Sequence, residues 1–77
     1  MNKEDKMTVE ITNEEKITIV EQHMKNLNYN KYNLNVTLLE LNALASPDQT
    51  SIDNILLQIS EIDAKLSVLE QEKTSLE

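Results

Sequence analysis

One spacing governs what this chain can become. On both sides of its single proline, Pro47, apolar residues recur alternately three and four positions apart. Ile17, Val20, Met24, Leu27, Leu34, Leu38, Leu41 and Ala45 make the first run, with Lys31 filling one slot. Ile52, Ile55, Ile59, Ile62, Leu66, Leu69 and Leu76 make the second, with Lys73 as its exception. An α-helix turns once in 3.6 residues, so residues spaced this way form one stripe, the a and d positions of a coiled-coil heptad. The fold class this predicts is all-α.

Local signals place the helix ends. Thr12-Asn13-Glu14-Glu15 has the T-x-x-E form of a capping box, in which the two end residues each satisfy an orphan amide of the other. Ser46-Pro47-Asp48-Gln49 reads as a second box with proline at the first helical position, where its missing N–H is no loss. Proline also disfavours the α conformation at Ser46. The expected layout is therefore a flexible arm over 1–11, a helix over 13–45, a turn at 46–47 and a helix over 47–76.

The palindromic stretch 26–35, NLNYNKYNLN, tests that layout. A β-hairpin turning at Asn30-Lys31 would lack the glycine that favours a two-residue turn, and an isolated two-stranded hairpin is marginal in water. As helix the stretch puts Leu27 and Leu34 at successive d positions. Its five asparagines lower local helix propensity by about 0.5 kcal/mol each, which packing can override. Helix is the better reading.

Two arrangements can bury the seams. An antiparallel hairpin folding at Ser46-Pro47 sets Leu41 opposite Ile52, Leu34 opposite Ile59, Leu27 opposite Leu66 and Ile17 opposite Leu76, always an a position against a d position. The rival is one long kinked rod, since the heptad frame runs in phase from Ala45 to Ile52. A serine–proline pair that can cap a new helix favours the hairpin.

A two-helix hairpin has a thin core, and a second stripe offers a remedy. Tyr29, Tyr32, Val36, Leu39 and Ala43 also lie three and four apart, at f and b positions facing away from the seam. Leu56, Leu57, Ala64 and Val68 lie off the seam of the second helix. A helix that is apolar on opposite sides requires partners on both, and tyrosine suits an interface with one wet edge. The expected interface residues are Tyr29, Tyr32, Val36, Leu39, Leu56 and Leu57, and the expected partner is the chain itself, associating into a bundle. Isoleucine at both a and d positions of the second helix points beyond a parallel dimer.

Composition narrows the function classes. With no glycine, phosphate loops and many-turned β domains are disfavoured; with no cysteine, disulfides and thiolate zinc sites are excluded. A net charge of -7 repels nucleic acid and anionic membranes. No apolar run approaches the roughly 18 residues of a membrane span, and no signal-peptide pattern opens the chain, so a soluble protein is expected. His23, the lone histidine, sits at a g position with no ligand set or catalytic partner around it. Glu61, Asp63, Glu70 and Glu72 form an acidic face on the second helix, and a thin hairpin offers no pocket to turn such carboxylates into an acid–base pair. The expectation is no enzyme, no cofactor, no metal, no nucleic acid and no membrane.

The stretch EEKITIVEQHMKNLNYNKYNLNVTLLELNALASPDQ, residues 14–49, resembles small uncharacterised helical proteins encoded by tailed phages that infect marine bacteria, cyanobacteria especially. They share a similar EEK…IV..H..NL.YNKYNL run, followed by a proline turn and a charged helix. The resemblance implies a phage origin, and with it the host cytoplasm or the virion as location, but no activity. The leading expectation is a structural or assembly protein acting by coiled-coil self-association, such as a virion accessory component. The alternative is a small acidic inhibitor or adaptor that docks on a basic host protein; any other partner would be another phage or host protein.

Overall fold

The computed structural model describes residues 9–77, which form two α-helices, α1 (Asn13–Asn42) and α2 (Gln49–Leu76). Most of the arm expected over 1–11 lies outside the described residues; residues 9–12 precede α1 in non-helical form and are exposed. The palindromic stretch lies within α1 and is helical throughout.

The capping box at Thr12 starts α1. The Glu15 amide donates to Thr12 Oγ1 at 3.0 Å, and the Thr12 amide donates to Glu15 Oε1 at 2.7 Å. Two of the orphan donors of the first turn are thereby satisfied. The helix ends at Asn42 with a right-handed C-cap. Ala43 keeps right-handed angles (φ -78°, ψ -14°), and its amide is shared between the carbonyls of Leu39 at 3.1 Å and Glu40 at 3.2 Å. The Leu44 amide reaches back three residues to Leu41 at 3.2 Å, a tightening typical of a helix end.

The boundaries at the turn differ from the sequence expectation. Residues 43–48 connect the helices, so the first helix stops before 45, the second begins after 47, and Ala45 is exposed outside the seam. The second cap is Asp48, not Ser46, and Pro47 precedes it instead of opening the helix. Asp48 accepts from the Thr50 amide at 3.1 Å through one carboxylate oxygen and from Ser51 Oγ at 2.9 Å through the other. A carboxylate also interacts favourably with the positive end of the helix dipole, so Asp48 outcompetes the serine two residues earlier. The chain must in addition cross the 8–10 Å or so between packed helix axes. Two residues give little room for that reversal, and six give ample.

α2 folds back along α1 in an antiparallel hairpin. From the open end toward the turn, Asn13 Nδ2 donates to the Leu76 carbonyl at 3.4 Å, Lys73 Nζ meets Glu21 Oε2 at 3.2 Å, and Lys31 Nζ meets Asp63 Oδ1 at 2.6 Å. The rod alternative would separate all three pairs. In the register expected for the hairpin, Lys31 faces Ile62 and Lys73 faces Val20. Each lysine instead reaches the acid that follows its facing residue, an e position on the same edge of the hairpin.

Burial traces the heptad closely. Every a and d position from Ile17 to Leu41 and from Ile52 to Leu76 is at least half-buried, Lys31 and Lys73 included. Among the described residues only Ile52 and Ile55, beside the turn, are buried, at 9% and 7% exposure. Elsewhere the seam is flanked on both edges by solvent. A half-buried leucine contributes about half of the roughly 1.5–3 kcal/mol that full burial provides. Such a core is thin for a chain of this size.

Candidate interaction surfaces

The outer face of α1 carries large exposed aromatic and aliphatic side chains. Tyr29 and Tyr32 are each 70% exposed and Leu39 is 71% exposed, on successive turns. Val36 lies between them at the same spacing and is half-buried, a short side chain with the Tyr32 ring one turn before it. Ala43, the last residue of the expected stripe, is the C-cap of the helix and is exposed. These residues form a continuous ridge because successive f and b positions lie about 40–60° apart around a helix, opposite the seam.

The surroundings of the ridge are as informative as its members. From Asn26 to Leu39 the only charged residue is Lys31, and its ammonium is committed to Asp63 across the seam. The rest is Asn26, Asn28, Asn30, Asn33, Asn35 and Thr37 with the tyrosines and the apolar residues. Thr37 Oγ1 donates to the Asn33 carbonyl at 3.1 Å, which keeps its hydroxyl satisfied on the helix. A band about 20 Å long, uncharged apart from one paired lysine, thus lies on a chain whose residues are 27% charged.

The remaining interface candidates do not join that ridge as one surface. Leu56, 48% exposed, is at an e position, on the edge that carries the two ion pairs. Leu57, 58% exposed, is at an f position on the back of α2, pointing away from α1. It shares that side with Ala64 and Val68, the latter 62% exposed, and with Glu61 between them.

The opposite edge of the hairpin holds a groove that the heptad pattern does not announce. It has a volume of about 560 Å³ and is bordered by His23, Asn26, Asn30, Ala64, Lys65 and Val68, with Leu27 and Leu69 at d positions between them. In an antiparallel pair g positions face g positions. Asn30 and Lys65 are such a pair, and the small Ala64 leaves the space unfilled. The signal lay in the levels of residues on different helices, which spacing along one helix cannot give. His23 and Lys65 both border this groove and no carboxylate does, so the groove presents no paired acid and base.

Electrostatics are those of a solvated hairpin. The glutamate beside Lys73 raises the pKa of its ammonium above the ordinary value of 10.5, first through the hydrogen bond and then through its charge. Among the described residues no group of three His, Cys, Asp or Glu side chains is placed to hold a metal ion. No helix among the described residues is long and apolar enough to cross a membrane. Comparison with protein-family models, with curated proteins and with solved structures gave no match.

Proposed function

We propose that this protein is a non-enzymatic assembly component that works by associating with itself, two or more hairpins packing into a helical bundle. The observation that carries the reading is the ridge of Tyr29, Tyr32, Val36 and Leu39, with three of its four side chains about half-exposed or more on a helix whose other side is already occupied by α2. A hairpin with two buried residues gains its missing apolar contacts when that ridge is covered. The resemblance of residues 14–49 to small phage proteins supports a place in the virion as an accessory component.

Sedimentation velocity at micromolar concentration tests the proposal. A dimer or larger species is expected, and a folded monomer would refute it. Mass spectrometry of purified virions tests the location: recovery in stoichiometric copies is expected, and absence would remove the virion role.

The charge of α2 favours a second reading. Residues 48–77 hold seven acids and two lysines, a formal charge of -5, and such a face suits an adaptor or inhibitor docking on a basic host protein. Binding to that partner would weaken steeply with salt, whereas association through the ridge would not.

A further inference from the structure

We infer that the self-contact is a two-fold, antiparallel pairing of α1 with α1 of a second copy, centred near Leu34, with both α2 helices turned outward. The inference rests on the self-association proposed above and specifies its face, direction and register.

Charge selects the face. Two copies that meet through the back of α2 bring a helix of formal charge -3, with Asp48 and Glu77 at its ends, against its own image, with Glu61 in the contact. Two copies that meet through the ridge bring together surfaces whose only charge between Asn26 and Leu39 is a lysine already paired to Asp63. Like charges opposed across an interface disfavour it, and interface cores are depleted in charge and enriched in tyrosine. A basic partner would be drawn instead to the acids of α2. The neutral ridge therefore fits a second copy of this acidic chain.

Spacing selects direction and register. A two-fold contact is self-complementary, so residues on one helix must meet their own set in reverse order. The f and b positions of the ridge act as a second a and d pair, and antiparallel layers set one type against the other. The register that places all four large residues does so in four closed layers. Tyr29 meets Leu39 of the other copy, Tyr32 meets its Val36, and the two-fold repeats both layers. Each ring then lies against an aliphatic side chain. At each end of the pairing Lys25 comes within reach of Glu40 of the other copy, an unlike pair at the rim.

The area is adequate for a weak, specific contact. Two tyrosines at 70% exposure and a leucine at 71% from each copy, with the asparagines beside them, bring on the order of 1,000 Å² into the contact, the lower bound for a specific interface. The product is a four-helix bundle with two thin seams joined by a third.

The chain contains no cysteine, so single substitutions report cleanly. Asn33→Cys lies beside the proposed two-fold, and its thiol should be joined to the same thiol of the other copy by a bis-maleimide spanning roughly 8 Å. In the proposed register, Glu40→Cys pairs lie roughly 18 Å apart along the axis, at 1.5 Å per residue, and should stay unlinked. Ser60→Cys, on the outer side of α2, should also stay unlinked. None of the three removes a ridge residue. Sedimentation of each variant is measured beside the cross-linking. An oligomer that links through Ser60→Cys or Glu40→Cys, or not through Asn33→Cys, overturns this arrangement and leaves self-association standing. A monomer overturns both. Linking at Asn33→Cys in most of the dimer, with the other two below a tenth of that yield, is the expected result.

Discussion

Lys31 occupies an a position where the heptad calls for an apolar side chain, and Lys31→Met measures what it does there. Its side chain is 34% exposed, so about two thirds of it lies within the seam, while Asp63 opposite is 50% exposed. The ion pair is close, at 2.6 Å, but pairs in such wet surroundings contribute only about 0.2–1 kcal/mol. Methionine buried to the same extent would contribute roughly 1–2 kcal/mol. The lysine's methylene stem already makes part of that contact, which trims the gain. The two residues differ little in helix propensity. Lys31→Met should therefore stabilise the hairpin by about 0.5–1 kcal/mol, which raises the thermal midpoint by roughly 2–8 °C for a domain of this size. Circular dichroism melts at one fixed protein concentration give the shift, because association also moves the midpoint. Asp63→Ala alone should lower stability by less than about 1 kcal/mol, and in the Lys31→Met background it should be nearly neutral. A loss of 1 kcal/mol or more in Lys31→Met would show that the pair is a main support of the hairpin and refute this account. In that account the lysine sets register at a small cost in stability, as polar residues at a positions do.

Changing both Tyr32 and Leu39 to Glu should dissociate the assembly in sedimentation, since an interfacial carboxylate without a partner costs several kcal/mol; an unchanged oligomer would place the contact elsewhere. Asp48→Ala should lower stability by about 1 kcal/mol in a urea melt, because it leaves the Thr50 amide and the Ser51 hydroxyl without their acceptor, whereas Ser46→Ala should be nearly silent. The raised pKa of Lys73 fixes a pH signature. Its contribution is fully present below the ordinary lysine pKa and is lost as pH rises through the higher folded value. Melts taken from neutral pH to above pH 11 or so should show an alkaline loss that Lys73→Met reduces; equal losses in both proteins would assign the effect to other groups.

The seam was legible in the sequence because its cause is local: a period along one helix determines which residues face the other, and the lysine slots betray themselves by interrupting it. The hairpin followed from Pro47, which forbids a continuous helix more strongly than the in-phase frame invites one. The turn was not legible in detail. Ser46-Pro47 and Asp48 are both competent caps, and the choice depends on the space the reversing chain must cross. The ridge on α1 was visible as a spacing, and its exposure follows from the position of α2 on the opposite side. Its division from Leu57 required the register of the hairpin. The groove at Asn30 and Lys65 was invisible for the same reason, since it is a gap between side chains that are more than thirty residues apart in sequence.

The uneven depth of the seam also governs the order in which the hairpin forms and opens. Ile52 and Ile55, the best-covered residues, lie next to a six-residue connection. Closing so short a loop takes on the order of 10–100 ns and loses little chain entropy. The first long-range contacts are therefore also the most rewarding ones, and the helices zip from the turn outward. Opening runs the other way. The end held by Asn13 and Leu76 through one 3.4 Å hydrogen bond frays first, so amide protons there exchange at rates set by local opening and those around Ile55 at rates set by global unfolding. A tether or label placed at the open end will report the motion of that end and not the stability of the whole.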